Sequence, residues 1–215
     1  MPVQAKICGL KDPDALEVAV TGGARYVGFM FFPRSPRDIK PGEAAGLVAR
    51  LPDRVTPVGV MVDPSDELID AVLTAVKLPV LQLHGSESPE RVAGIGRRCG
   101  VRVMKVIKVA SEEDVASARR YEDAADLLLF DTRPVESAKD GLPGGTGKSF
   151  DWSLVAGFSS KLPWMLAGGL HAGNVAEAVA ISGAKIVDIS SGVETAPGKK
   201  SPEKIAAFLN VVRGL

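Results

Sequence analysis

Two residue types able to move protons stand at the ends of apolar runs. Cys8 closes Val3–Cys8 and is followed by Gly9, and Asp131 follows Leu127-Leu128-Leu129-Phe130. A thiol and a carboxylate facing each other would give one base and one acid, the minimum set for shifting protons on a carbon skeleton. On position alone, Cys8 reads equally as a small buried hydrophobe and Asp131 as a loop cap or ion-pair partner. The second cysteine, Cys99, ends a helical stretch in Arg-Arg-Cys-Gly and suits only the structural role.

Two glycine- and serine-bearing segments follow the last apolar runs. Gly168-Gly169 comes after Trp164–Ala167, and Ser190-Ser191-Gly192 ends Lys185–Ser190 and continues beyond it. Each alone is an ordinary tight turn. Together on neighbouring strands they make a phosphate site, because glycine lets backbone N–H groups approach an anion and serine adds donors. Arg37, in Phe-Pro-Arg-Ser-Pro-Arg, offers a planar fork for a carboxylate or phosphate, or is a solvated surface arginine. His84, in Leu-Gln-Leu-His-Gly, could bind a ligand, shuttle a proton or be a satisfied core residue. With only His84 and His171 in the chain, a metal site is poorly supported. Asp188 lies inside an apolar run, where a carboxylate requires a partner; a substrate contact is one candidate.

Eight short runs could carry these residues: Val3–Cys8, Tyr26–Phe32, Val55–Val62, Val80–Leu83, Val101–Val109, Asp126–Phe130, Trp164–Ala167 and Lys185–Ser190. Most are apolar at consecutive positions, the pattern of strands buried on both faces of a parallel sheet. Helix-period segments separate them. Leu68, Ile69, Val72, Leu73 and Val76 share one helical face, as do Ile205, Phe208, Leu209 and Val212. Ser65, Ser88 and Ser201 stand where N-caps belong. Gly-Ala-Arg-Tyr-Val at 23–27 echoes Gly-Ala-Lys-Ile-Val at 183–187, a helix-to-strand join used twice. Eight strands, each followed by a helical pattern, predict a (β/α)8 TIM barrel, α/β in class, spanning residues 1–215 as one domain. An open doubly wound sheet is disfavoured, because no Gly-x-Gly-x-x-Gly follows the first strand.

Composition narrows the function further. The 215 residues carry 26 Lys plus Arg and 26 Asp plus Glu, so no basic excess points to nucleic acid or an anionic membrane. Two cysteines exclude a disulfide framework, and no apolar run approaches a spanning helix. No secretory leader is legible, so a cytoplasmic location is expected. Gly-Gly-Thr-Gly-Lys-Ser at 144–149 ends like a nucleotide P-loop. It has Leu142 where that motif needs glycine, and it stands about a dozen residues from its strand. It reads instead as a rim loop able to fold over a ligand.

Seven pieces occur in order: Lys6-Ile7-Cys8-Gly9, Phe32 to Arg37, Gln82 to Gly85, Phe130-Asp131-Thr132, Gly144 to Gly147 with Phe150-Asp151-Trp152, Ala167 to Leu170, and Asp188 to Glu194. Together they resemble phosphoribosylanthranilate isomerase from residue 5 to the C-terminus. The resemblance implies an Amadori rearrangement of N-(5-phosphoribosyl)anthranilate in tryptophan biosynthesis, with no metal or cofactor. It also implies Cys8 as general base, Asp131 as general acid, Arg37 on the anthranilate carboxylate, and phosphate held by Gly168, Gly169, Ser190, Ser191 and Gly192. The only partner expected is this small phosphorylated substrate, and the protein is expected as a monomer or homodimer. Ordinary pKa values of about 3.9 and 8.5 leave both catalytic groups mostly in the wrong state at neutral pH, so the site must shift them. A histidine-pathway isomerase of the same fold would carry a carboxylate in place of Cys8. A ribulose-phosphate epimerase would show metal-binding histidines. A non-catalytic sugar-phosphate sensor would not need Cys8 and Asp131 together.

Overall fold

The computed structural model describes residues 2–133 and 149–215. Eight parallel strands close on themselves in chain order: β1 (Gln4–Cys8), β2 (Tyr26–Met30), β3 (Thr56–Met61), β4 (Val80–Leu83), β5 (Arg102–Val109), β6 (Leu127–Thr132), β7 (Trp164–Leu166) and β8 (Ile186–Ile189). Closure comes from β1 pairing with β8 over Gln4↔Ile186 to Ile7↔Ile189. The TIM barrel expected from the sequence is therefore present, and no strand end departs from expectation by more than two residues.

Among the described residues, seven α-helices wrap the barrel: α1 (Pro13–Thr21), α2 (Pro41–Val48), α3 (Asp66–Ala75), α4 (Pro89–Cys99), α5 (Glu112–Ser117), α6 (Val175–Ser182) and α7 (Pro202–Arg213). Ser65, Ser88 and Ser201 cap α3, α4 and α7 through side-chain oxygens that accept from backbone N–H groups three residues on. Ile205, Phe208, Leu209 and Val212 of α7 are all buried. The expectation of a helix after every strand needs correction. Among the described residues, β6 is followed only by a single 3-10 turn, Trp152–Val155, capped by Asp151. The Gly144–Lys148 part of the proposed rim loop lies outside the described residues. A short antiparallel hairpin, β9 (Glu194–Ala196) with β10 (Lys199–Lys200), follows β8 and was not foreseen.

Side chains alternate between two cores, as strand geometry requires. One core lies between strands and helices and holds Ile7, Phe29, Leu81, Phe130, Val187 and Phe208, among others. The other fills the barrel: Cys8, Tyr26, Val58, Val60, Val80, Met104, Val106, Leu127, Leu129, Met165, Ala167 and Ile186. This second set fixes which polar residues look inward. Lys6 shares a face with Cys8, Gln82 and His84 with Val80, Lys108 with Val106, Asp131 with Leu129, and Asp188 with Ile186. All but Lys6 lie at or next to the C-terminal strand ends, where this fold builds its sites.

Candidate active site

Cys8 is the last residue of β1 and is buried, with its register partner Gly28 on β2. A Cβ at position 28 would stand 2.8 Å from the Cys8 sulfur and 3.2 Å from Lys6 Nζ, so glycine leaves the space both groups use. Lys6, one inward position below, is wholly buried and donates to Asp188 Oδ1 at 2.8 Å. The partner that Asp188 requires is thus Lys6, its register neighbour across the closing seam. Burial pushes the Cys8 thiol up, and Asp188 adds to this, while the charges of Lys6 and Lys200 pull it down; the net direction is up. Burial opposes the charge on Lys6, but Asp188 and Cys8 outweigh it and hold the ammonium above its ordinary value.

Asp131, on β6, is also buried. Its Oδ1 accepts from the Thr132 amide at 2.8 Å, and its Oδ2 lies 3.3 Å from His84 Nε2. That approach lacks the alignment of a hydrogen bond, so the buried Nε2 has no hydrogen-bond partner among the described residues. His84 Nδ1 is 3.4 Å from Gln82 Nε2. His84 therefore belongs to the Asp131 side of the mouth. Lys108, the register partner of Asp131, is half-buried, and burial together with the charge of Lys105 lowers its pKa.

Arg37 is not a solvated arginine. It is buried, and its Nε and Nη2 donate to Glu194 Oε1 and Oε2, each at 2.8 Å. Glu194 Oε1 also accepts from Lys200 Nζ at 2.8 Å, and Lys200 reaches the Ser190 carbonyl at 2.9 Å and hydroxyl at 3.2 Å. Burial alone would raise the Glu194 carboxyl, but Arg37 and Lys200 more than reverse it and hold it below its ordinary value. The hairpin carrying this network rests on the Arg37 loop, since any Cβ at Gly198 would drive into the Pro36 carbonyl. Gly9 supports the arginine from below: a Cβ there would lie 2.9 Å from Arg37 Cδ.

The two candidate phosphate segments touch. Gly168 and Gly169 both hold positive φ, 86° and 62°, after the short β7. Ser191–Val193 forms a 3-10 turn directly after β8. A Cβ on Gly192 would drive into the Leu170 carbonyl, so backbone of one loop packs on backbone of the other. β7 and β8 share the single register pair Leu166↔Val187, and beyond it their loops supply the wall. The Ser190 hydroxyl donates to the Cys8 carbonyl at 3.2 Å, tying this wall to β1.

The sequence-derived residues thus occupy one end of the barrel. Cys8, Arg37 and Ser190 gather with Asp188 at the β8–β1–β2 side, Asp131 and His84 at the β4–β6 side, and the glycines between. Lys6, Glu194 and Lys200 carry the buried charge network but were not singled out from the sequence. The signal was present for Lys6, a charge inside an apolar strand, as it was for Asp188. For Glu194 and Lys200 no local signal exists, because both stand in a polar stretch and only the hairpin buries them.

Comparison with known proteins agrees with this geometry. The family model described as N-(5'phosphoribosyl)anthranilate (PRA) isomerase matches residues 5–211. A relative named N-(5'-phosphoribosyl)anthranilate isomerase from Paramagnetospirillum magneticum is 55% identical over 214 residues, covering 100% of this chain and 99% of its own. One of the same name from Parvibaculum lavamentivorans is 51% identical over 213 residues, covering 99% of each. The crystal structure of phosphoribosyl anthranilate isomerase from Thermotoga maritima superimposes with a TM-score of 0.88 at 37% identity, over 99% of this chain and all of that one. By sequence and by fold, this chain belongs to the N-(5'-phosphoribosyl)anthranilate isomerase family.

Proposed function

We propose that the barrel mouth isomerises N-(5'-phosphoribosyl)anthranilate to 1-(2-carboxyphenylamino)-1-deoxyribulose 5-phosphate, as a step of tryptophan biosynthesis, with Cys8 as base and Asp131 as acid. A solved family member in complex with the reduced form of this product matches the chain with a TM-score of 0.83 at 35% identity, over 99% of this chain and all of that one. The observation that carries the residue assignment is the inward placement of both groups at the same end of the barrel.

The chemistry follows from the two groups. Protonated Asp131 donates to the furanose ring oxygen, the ring C–O bond breaks, and the anilino nitrogen forms an iminium with C1. The Cys8 thiolate removes the proton from C2, leaving a neutral enaminol. Cys8, now a thiol, returns a proton to C1, while Asp131, now a carboxylate, takes the C2 hydroxyl proton. The product is a ketone and both groups regain their starting states, so the sequence is balanced and redox-neutral. His84, 3.3 Å from Asp131, stands where it can exchange a proton with the acid.

Substrate anions meet two different surfaces. The phosphate suits the backbone N–H groups of Gly168, Gly169, Ser191 and Gly192 with the Ser190 and Ser191 hydroxyls. The anthranilate carboxylate suits Arg37, whose Nε and Nη2 already fork onto Glu194 and whose Nη1 remains to meet a second carboxylate. Asp188, expected as a substrate contact, meets Lys6 through Oδ1. No helix among the described residues is long and apolar enough to cross a membrane. A cytoplasmic location fits two unpaired cysteines. A Thermotoga maritima relative is described as dimeric, and a monomer or homodimer is the assembly proposed here. Turnover is tested by loss of substrate fluorescence on freshly made phosphoribosylanthranilate, with Cys8→Ala and Asp131→Asn alongside. Activity in the parent with loss in both variants is the expected result. Full activity in either variant removes that residue from the mechanism.

A further inference from the structure

Cys8 poses a problem that its position does not solve. A buried thiol resists ionisation, yet the base must be a thiolate. Lys6 lies on the same face of β1, fully buried, and no side chain from β2 stands between it and the sulfur because position 28 is glycine. Its ammonium has Asp188 from β8 at 2.8 Å, Cys8 from its own strand, and Tyr26 as its register partner on β2. Towards the mouth stand Lys200 and Glu194 of the hairpin and Arg37 of the loop after β2. The buried charges can be counted. Lys6, Lys200 and Arg37 are three cations, and Asp188 and Glu194 are two anions. The group lacks one negative charge, and a thiolate at Cys8 supplies it. An excess buried charge is costly, so the cations of this cluster oppose the burial that pushes the thiol up.

We propose that Lys6, clamped by Asp188, is the positioning residue that holds the Cys8 sulfur as a thiolate at the barrel mouth. The inference rests on the reading of Cys8 as the base. Asp188 fixes where the ammonium sits, and the ammonium gives the sulfur a counter-ion that needs no water. The proton shed by the thiol is lost to solvent before substrate binds.

The test is the pH dependence of iodoacetamide alkylation of Cys8, followed by mass spectrometry in a Cys99→Ser background, where Cys8 is the only thiol. Lys6→Gln moves the alkylation midpoint up by more than about one pH unit, slowing the reaction roughly tenfold at pH 7. Asp188→Asn moves it down, because an anion that opposes the thiolate has gone while the buried lysine remains. An ion pair that does not act on the sulfur would move neither midpoint. An unchanged midpoint in folded Lys6→Gln, checked by circular dichroism, overturns the proposal, as do shifts in the same direction in both variants. Should Lys6→Gln fail to fold, Asp188→Asn alone decides, and a midpoint unmoved or raised overturns the proposal. Alkylation needs no turnover. An active Cys8→Ala would therefore remove the base assignment without altering what alkylation says of Lys6.

Discussion

Glu194 is held by cations on every side that the structure describes. Its carboxylate takes Arg37 and Lys200, and its carbonyl takes Lys204 Nζ at 2.7 Å. Replacing it by Gln leaves Arg37 without its fork and two cations buried together. Breaking such a pair costs about 3–5 kcal/mol. Glu194→Gln is expected to raise KM for the carboxylate-bearing substrate at least about tenfold, with a smaller change in kcat, measured by steady-state kinetics. Acid has a related effect through Glu194 and Glu87. Glu87 accepts from Lys105 Nζ at 2.7 Å and from the Asp63 and Gly85 amides. Burial opposes its charge but Lys105 prevails, so both carboxyls lie below their ordinary values when folded. Below the ordinary value, about 4.3, the unfolded chain binds protons that the folded one refuses. Their stabilisation is therefore complete above that pH and is lost as pH falls through the folded values. Thermal melts should be flat in this contribution from pH 6 to 7 and decline steeply below about pH 4. The residues that speak for themselves in the sequence are those whose type clashes with their surroundings: Cys8, Asp131 and Asp188 among apolar neighbours. Glu194 and Lys200 were illegible because their burial is conferred by a turn 160 residues from Arg37 in the chain's path, not by anything beside them.

The strands were legible because parallel strands inside a barrel are apolar on both faces, which gives short continuous apolar runs bounded by turn residues. The caps were legible because serine before proline or acidic residues satisfies orphan amides. Two elements were not. The β9–β10 hairpin has strands of three and two residues, too short to show alternation. Among the described residues, the helical stretch after β6, Trp152–Val155, is one turn long, and periodicity needs two. Glycines separate the elements that make the site from those that merely surround it. Gly192→Ala places a methyl against the Leu170 carbonyl, and the loops after β7 and β8 must part. KM for the phosphorylated substrate should rise tenfold or more by the same kinetics, about 1.4 kcal/mol or above. Gly94, inside α4, has nothing within 4 Å of its missing Cβ. Gly94→Ala should add about 0.5–1 kcal/mol of stability in denaturant titration and leave kcat/KM unchanged.

For the molecule as a whole, α7 carries the closing contacts. Its Phe208 is fully buried, its apolar face packs on β1 and α1, and Arg213 at its end donates to the Gly22 carbonyl at 3.0 Å. Phe208→Ala should cost about 3–5 kcal/mol in denaturant titration, while the fraction that remains folded keeps its kcat, since Phe208 belongs to the core between strands and helices and not to the one that fills the barrel. A result with kcat falling and stability unchanged would place α7 in the site rather than behind it. The seam between β1 and β8 has a consequence in time. Lys6 and Asp188 are 182 residues apart along the chain, and so are Cys8 and Ser190. On the ribosome, β1 is made first and its counter-ion nearly last. Through most of synthesis Lys6 lacks Asp188, and burying the inner face of β1 against another strand would leave that charge without its partner. The proposed base, its ammonium and the wall of the proposed phosphate site come together in one late event, when the eighth strand emerges.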